Sequence, residues 1–419
     1  MTDENRRLFT QAFDREELDG LILQLGNIAS PYREERQVAE FVYDWMAENG
    51  FSPRKVAFSE DRPNVVGVLP GTGGGMDLVF NSHMDTAVSP ADPLIHKNPQ
   101  DPFFHSAWME NDCFMGEGVH NDKGPLACFL MAAKTIRKAG IQLPGDVILT
   151  AVCGETGLEP VDEFQGPRYH SKDFSTRYLL THGGVAADVA LVAEGTDFGA
   201  ATMEAGKAFF KITVFGEIVY TPWVRREPGI QSPNVFVRTA RLIGALEDWA
   251  RDYEQRNVLH TPEGTVEPKV QISALRGGQP YYVTKGAEAC MLYLDVRLTP
   301  DQDPRGPRDE LKDLLQQTGL QGEVELFLHR RGYRSQNLQP AMEALGRAHQ
   351  EVLGTQMQTA RPGFSSMWRD NNPFNEMNIP AVTYGPTRRC PIHRDDMYRA
   401  ALVYGLTAID VCSRKRHKR

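Results

Sequence analysis

One short stretch constrains the fold and the chemistry of this 419-residue chain more than any other. The apolar run Leu78-Val79-Phe80 leads to His83 and Asp85 just before a turn-rich segment. Such a run is typical of a buried β-strand, and side chains two residues apart on a strand point to the same face. Asp85 can therefore fix the tautomer of His83 and raise its basicity, as carboxylates do for metal-binding histidines. A histidine buried in the core beside a surface aspartate, with no role in metal binding, would give the same His83-Met84-Asp85 sequence.

Two later strand-like runs end in the same way. The run 146–153 is followed by Glu155, and the run 189–193 is followed by Glu194. Asp122 comes just before a segment of strong helix formers. Strands that each deliver an acid or an imidazole to one edge predict an α/β sheet with its site outside the strand ends.

The composition excludes several classes of protein. The net charge of -9 argues against a nucleic-acid surface, because such a surface is normally basic. No stretch approaches the roughly 18 uninterrupted apolar residues of a membrane span. The six cysteines form no CxxC pair, which disfavours a disulfide framework and a thiolate zinc site and fits a reducing compartment. We therefore expect a cytoplasmic protein that acts on a small molecule, without a nucleic-acid or membrane partner.

Length and pattern together predict two domains. At roughly 100–200 residues per domain, a chain of this length favours two substantial cores. Near residue 205 the pattern changes to strand, helix and strand. We predict a catalytic metal-binding domain, residues 1–204 and 317–419, with a smaller α+β domain, residues 205–316, inserted into it. The glycine-rich segment 70–75 predicts a hairpin between its two flanking strands.

Four short motifs, in this order, resemble those of a known family. They are Ser82-His83-Met84-Asp85, Asn121-Asp122-Lys123-Gly124, Ala193-Glu194-Gly195-Thr196 and Ile392-His393-Arg394-Asp395-Asp396. The chain is similar over nearly its whole length to the co-catalytic metallohydrolases that include zinc aminoacylases, acetylornithine deacetylases and glutamate carboxypeptidases. Each motif alone has little specificity, whereas several in register are specific.

The resemblance implies a fold, a metal centre and an assembly. The fold would be a mixed-sheet α/β catalytic domain with an inserted dimerisation (lid) domain, and the protein would be a homodimer or a higher homo-oligomer. Asp122 would bridge two divalent transition metal ions, zinc or manganese. His83 and Glu194 would hold one ion, and Glu155 and His393 would hold the other. Bound metal would lower the pKa of water and polarise the bond under attack.

One more metal-binding motif of the family, which falls at Gly154-Glu155 in this chain, departs from the family pattern. There the family carries adjacent glutamates, a general base followed by a ligand, whereas this chain has Gly154 and Glu155. Aligned through the following Thr-Gly, Glu155 takes the ligand position and the base is missing. Alternatively Glu155 is the base, and a single ion is held by His83, Asp122 and Glu194. In either case the base must reach the attacking water.

The inserted domain departs from the family as well. Family members place a histidine there that reaches across the dimer to stabilise an oxyanion, and this chain has Tyr220 instead. A tyrosine donates a hydrogen bond but carries no positive charge, so the stabilised species can differ from a tetrahedral oxyanion. A Tyr220 side chain that only packs against its neighbours, with no role in the reaction, is equally compatible with the sequence.

Arginines and aromatic residues suggest the kind of substrate. A planar guanidinium group suits a carboxylate, and the candidates are Arg225, Arg226, Arg276 and Arg369. The neighbouring pair Tyr281-Tyr282 suggests an aromatic carboxylate. Surface arginines and core aromatic residues would give the same pattern.

Three functions remain open at this point. The altered base region, Tyr220 and the arginines with aromatic residues are similar to the nitroanthranilate aminohydrolases of this family, which replace an aromatic amino group by hydroxyl. An amidohydrolase or dipeptidase acting on N-acyl amino acids or dipeptides is the second. A catalytically impaired metal-binding protein is the third, because Gly154 removes the usual base.

Overall fold

The computed structural model describes residues 3–90 and 98–416. Its α-helices are α1 Asp3–Ala12, α2 Arg15–Gly26, α3 Arg36–Glu48, α4 Gly124–Lys138, α5 Thr176–His182, α6 Val235–Arg256, α7 Arg305–Gln317, α8 Gln339–Leu353, α9 Pro362–Ser365, α10 Asn371–Glu376 and α11 Arg394–Cys412. Its strands are β1 Arg54–Val56, β2 Asn64–Leu69, β3 Leu78–His83, β4 Trp108–Glu110, β5 Cys113–Met115, β6 Val147–Val152, β7 Val189–Val192, β8 Met203–Glu204, β9 Gly206–Phe215, β10 Leu259–Thr261, β11 Gly264–Val266, β12 Val270–Gly277, β13 Ala289–Leu298, β14 Gly322–Arg330, β15 Tyr333–Arg334, β16 Ala381–Thr383 and β17 Ile392–His393. Within the described ranges, no helix combines the length and apolarity that crossing a membrane requires.

The chain divides into two compact units. Unit 1 contains Met1–Thr202, Ser335–Arg361 and Arg369–Arg419. Unit 2 contains Met203–Arg334 and Pro362–Trp368.

Unit 1 is built on a mixed six-stranded sheet of order β1-β2-β6-β3-β7-β16. The last four strands run parallel, so their carboxyl ends lie at one edge of the sheet. Side chains alternate across the sheet: Phe80 packs in the large core with α4 and α11, while Val79 packs in a second core on the opposite face with Phe374 of α10. Both faces of the sheet are thus covered by helices, which confirms the predicted α/β class.

The predicted hairpin around the glycine-rich segment is wrong. Strand β6 lies between β2 and β3 and pairs with both. The segment packs instead against the chain entering β6, since Thr72 N donates to Leu143 O at 2.8 Å and Gly73 N donates to Pro144 O at 2.8 Å. A Cβ on Gly75 would lie 2.3 Å from the backbone nitrogen of Gly145. The glycines therefore allow close backbone packing rather than a tight strand reversal.

Unit 2 contains an antiparallel sheet of order β12-β13-β9-β14. One face of the sheet packs on α6 and α7, with alternate residues such as Phe210 and Ile212 of β9 fully buried in this core. The predicted return to the first domain at residue 317 is too early, because β14 pairs with β9 along its length. Leu326 of β14 also packs against the core of this unit. The segment Pro362–Trp368 belongs to unit 2 as well.

Candidate metal centre

The carboxyl ends of the parallel strands position the site in unit 1. His83 is the last residue of β3, and Glu194 follows the end of β7 by two residues. Asp122 precedes α4, and Ser82 Oγ donates to its backbone carbonyl at 3.2 Å. Adjacent parallel strands bring their ends together at one edge, which is where open α/β sheets bind ligands.

His83, Asp122 and Glu194 form a buried cluster. Each offers one ligand atom, and these three atoms lie within 4.8 Å of one another. His83 Nε2 is 2.9 Å from Asp122 Oδ2. Yet both carboxylate oxygens of Asp122 and Oε1 of Glu194 are buried and accept no hydrogen bond from the described part of the chain. Buried polar atoms without a partner are rare, and one imidazole with two carboxylates is a suitable ligand set for a divalent transition metal ion, so the residues fit such an ion.

The electrostatics of this cluster favour a cation. Burial lowers the pKa of His83, but the carboxylates of Asp122 and Asp85 outweigh it and hold the pKa well above its usual value. Burial and the charge of Asp122 raise the pKa of Glu194, against the lowering effect of Arg369. The site thus concentrates negative charge that is removed from solvent.

Asp85 supports two parts of the centre at once. Its carbonyl oxygen lies 2.9 Å from His83 Nδ1, and because a carbonyl only accepts, Nδ1 carries the proton and Nε2 is left to bind metal. Its carboxylate accepts hydrogen bonds from Glu155 N at 3.0 Å, Thr156 N at 2.8 Å and Thr156 Oγ1 at 2.6 Å. Burial raises the pKa of Asp85, but His83 and Thr156 outweigh it and lower the pKa below its usual range.

Glu155 lies outside the three-residue cluster. Its buried carboxylate contacts the ammonium group of Lys172, which also donates to the Glu155 backbone carbonyl. The structure therefore pairs the predicted second-metal ligand with a lysine. Lys172 lies in an irregular segment, and no sequence pattern marks it.

His393 is likewise apart from the cluster. It begins α11 as its N-cap, with Nδ1 accepting from Asp395 N at 3.1 Å, and its side chain is 48% exposed. The structure thus brings together three of the five predicted ligands.

Gly154, at the usual base position, has no space for a side chain. Its φ is +71°, and a Cβ would lie 2.5 Å from Ser171 O and 2.7 Å from Arg62 Nη2. Arg62 is held there by a buried ion pair with Glu35, at 2.7 Å, and by Ser171 Oγ, at 3.0 Å. A carboxylate side chain at position 154 would therefore clash with Ser171 and Arg62.

Two arginines flank the metal cluster. Arg369 is buried, with Nη1 at 3.8 Å from Glu194 Oε2. Arg388 Nη1 lies 3.7 Å from the same oxygen and has no hydrogen-bond partner among the described residues, while Nη2 donates to Asn121 Oδ1 at 3.3 Å. Sequence reasoning singled out Arg369 and missed Arg388, although Arg388 lies five residues before His393.

A further buried carboxyl group, Asp370, was also missed. Its Oδ2 accepts from Asn81 Nδ2 at 2.8 Å. Burial and the charge of Glu155 raise the pKa of Asp370 to about 7, against the lowering effect of Lys172. Asp370 directly precedes α10 and follows no strand, so the strand-end pattern did not indicate it.

The other predicted site residues lie in unit 2. Arg226 and Arg276 are exposed, and Arg225 pairs with Glu217 at 3.7 Å and Glu227 at 3.0 Å. Tyr220 is half-exposed, and its ring packs edge-to-face on Trp223 with 5.6 Å between centroids. Their roles remain predictions.

A buried imidazole and two carboxylates at the carboxyl edge of an α/β sheet form a candidate site for a divalent metal ion. The chain belongs to peptidase family M20/M25/M40, whose model matches residues 79–409. Membership of this family confirms the predicted class of metal-dependent hydrolase.

Two curated relatives carry the same description. N-formyl-4-amino-5-aminomethyl-2-methylpyrimidine deformylase of Bacillus subtilis is 34% identical over 165 residues, which is 38% of each chain. The protein of that name from Halalkalibacterium halodurans is 33% identical over 148 residues, 34% of this chain and 33% of the relative. The matches thus span between 33% and 38% of the length of these relatives.

Solved structures share the fold over nearly the whole chain. Human carnosine dipeptidase 1 is 12% identical with a TM-score of 0.69, covering 98% of this chain and 99% of that one. Aminopeptidase PepT from Bacillus cereus is 15% identical with a TM-score of 0.67, covering 96% and 100%. Bacillus subtilis YXEP, described as a dinuclear metal binding peptidase, is 13% identical with a TM-score of 0.61, covering 94% and 97%.

The crowding at Gly154 can be separated from its backbone strain. We expect Gly140→Ala, also at positive φ (+68°) but with no described atom within 4 Å of its Cβ, to cost about 1–2 kcal/mol of unfolding free energy. Gly154→Ala should cost about 1–3 kcal/mol more, because Ser171 and Arg62 must move. Urea unfolding of both variants measures the difference. Equal losses would contradict the crowding described above.

Asp85 should control metal affinity without binding metal. In Asp85→Asn an amide NH₂ replaces one acceptor of the hydrogen bonds from Glu155 and Thr156, so we expect a roughly 10–100-fold weaker metal affinity. Titration against a competing chelator measures it. Thr156→Val, which removes only the hydroxyl donor, should have a smaller effect. Wild-type affinity in Asp85→Asn would show that the carboxylate has no such role.

Proposed function

We propose that this protein uses one divalent transition metal ion, held by His83, Asp122 and Glu194, to hydrolyse an amide C–N bond of a small carboxylate-bearing substrate. The observation that carries the proposal is the set of three buried carboxylate oxygens that lack a hydrogen bond within the described chain. Zinc or manganese is the ion we propose, because imidazole and carboxylate suit both. A bound ion would polarise the bond under attack and make water a stronger nucleophile.

We propose Glu155 as the general base. Its carboxylate is buried, and the turn that carries it is hydrogen-bonded to Asp85, which in turn orients His83. Gly154 offers no carboxylate. A positioned carboxylate can take a proton from the attacking water and return it to the leaving nitrogen.

Arg369 and Arg388 are our candidates for binding the substrate carboxylate. Both guanidinium groups approach the same oxygen of Glu194, beyond hydrogen-bond distance. The Arg388 side chain is 24% exposed, so it extends from the solvent to the buried centre. A guanidinium fork binds a carboxylate through two parallel hydrogen bonds, which would fix the scissile bond beside the cluster.

The relatives suggest classes of substrate. The curated relatives are named as deformylases, and structural neighbours are named as dipeptidases and aminopeptidases. An N-formyl or N-acyl compound is therefore our first choice, and a dipeptide is the next.

One set of observations favours a second candidate, the deamination of an aromatic amine such as 5-nitroanthranilate. The glycine at position 154, where a side chain would clash, and the tyrosine at position 220 set this chain apart from the family pattern. Water would add to the ring carbon that bears the amino group, the nitro group would absorb the charge, and ammonia would leave. A carboxylate on that ring suits the same two arginines.

A homodimer formed through unit 2 also remains a proposal. This unit carries several exposed apolar side chains, among them Ile218, Trp223 at 75% exposure and Tyr281 at 84%. Exposed apolar groups of this kind are typical of association surfaces. Tyr220 lies in the same part of the chain, which is compatible with a role in a partner's site.

The assignment of Glu194 as a ligand and Glu155 as the base predicts opposite outcomes when each is replaced by glutamine. Glu194→Gln should lose bound metal, because a ligand is removed. Glu155→Gln should keep it and lose roughly 10²–10⁴-fold in kcat. His393→Ala should also keep its metal. Elemental analysis after gel filtration, followed by turnover, measures both effects, and metal loss in Glu155→Gln would make Glu155 a ligand instead.

A substrate panel tests the function itself. We expect turnover of at least one member of the set N-formyl aminopyrimidine, N-acyl amino acids, dipeptides and 5-nitroanthranilate. On a carboxylate substrate, Arg388→Met should lower kcat/KM roughly 10–100-fold, because a charged hydrogen bond is lost. Arg308→Met, an arginine of α7 paired with Asp309, is the control. Bound metal without turnover of any member would support the impaired metal-binding protein.

A further inference from the structure

Lys172 occupies an unusual position for a buried lysine. Its side chain is removed from solvent, and its ammonium group contacts both the carboxylate and the backbone carbonyl of Glu155. Burying an ammonium group is costly unless it is paired and hydrogen-bonded. The contacts with Glu155 supply that pairing.

This arrangement conflicts with a second metal ion. In a dinuclear centre of the family pattern, Glu155 and His393 would hold the second ion beside Asp122. Here the Glu155 carboxylate is already paired with a cation. A divalent ion bound to the same carboxylate would lie close to the ammonium group and be repelled by it.

His393, the other ligand expected for a second ion, is not positioned to bind it either. His393 is half-exposed, and its Nδ1 accepts the hydrogen bond that caps α11. It is not part of the ligand cluster found in the described residues. The residues present therefore fit one ion and do not fit two.

We propose that the ammonium group of Lys172 takes the place of the second metal ion. It supplies a fixed positive charge to Glu155 and holds that carboxylate for proton transfer, so Lys172 is a positioning residue. The proposal rests on the proposed function for the role of Glu155 as base, but the metal count it predicts does not depend on turnover. It also gives a physical reason why a chain similar to a dinuclear peptidase can operate with one ion.

Metal stoichiometry tests the replacement directly. Folded wild-type protein, stripped and reloaded with excess manganese, should retain one ion per chain by elemental analysis. Lys172→Met frees the Glu155 carboxylate, so its count should rise above one, and electron paramagnetic resonance should show exchange-coupled manganese pairs. Lys172→Arg keeps a cation and should stay at one ion. Lys134→Met, which removes a lysine paired with Glu17, is the matched control and should also stay at one.

A double variant identifies the ligand responsible. Lys172→Met combined with Glu155→Gln leaves no charge at either position, so the count should return to one ion. If Lys172→Met does not fold, Lys172→Gln keeps a polar end and serves the same measurement. Two ions on the wild type, or a count of one in a folded neutral variant at position 172, would overturn the proposal.

The pH profile separates positioning from simple structural support. Lys172→Met should lower kcat and alter its dependence on pH. Lys172→Arg, which keeps the positive charge, should largely restore both. A wild type that binds one ion but turns over no substrate would remove the proposed function and leave the metal count intact. Turnover with two ions would overturn both the role of Lys172 and the single-ion count, while the hydrolytic activity itself would stand.

Discussion

The candidate metal centre depends on the hydrogen bonds made by one buried residue, Asp85. Its carboxylate accepts hydrogen bonds from the backbone and side chain of the turn after β6, while the carbonyl of the same residue orients His83 at the end of β3. A buried carboxylate that lost these donors would carry a full desolvation cost. Asp85 thus fixes the position of His83, a proposed metal ligand, relative to the turn that carries Glu155, at the ends of two strands that are neighbours in the sheet.

The sequence predicted those site residues whose settings can be recognised from their immediate neighbours in the chain. His83 and Glu194 follow β-rich runs, and Asp122 precedes a strong helix, so their settings can be recognised within a few residues of each. Parallel strands then bring those ends to one edge without further information. The α/β class and the family followed from the same local signals.

What the sequence did not predict depends on distant partners. Lys172 and Arg388 lie in irregular segments; Lys172 contacts Glu155, 17 residues earlier, and Arg388 contacts Asn121, 267 residues earlier. The insertion of β6 between β2 and β3, and the pairing of β14 with β9, are likewise decided by tertiary packing. A hairpin between neighbouring strands and an early domain boundary were the local expectations, and packing overrode both.

The region around Gly154 shows why the missing base cannot be treated as a simple deletion. A side chain at 154 would displace Arg62, and Glu35 would then lose its buried partner, which is strongly unfavourable. The space behind the turn is therefore filled by an ion pair, and the acidic group that remains, Glu155, is paired with Lys172. Loss of one carboxylate and gain of the Lys172 ammonium group each make the centre more positive by one charge, and together they supply the two positive charges that a second divalent ion would bring. The missing carboxylate at position 154 and the added ammonium group of Lys172 are consequently parts of one altered charge balance around Glu155.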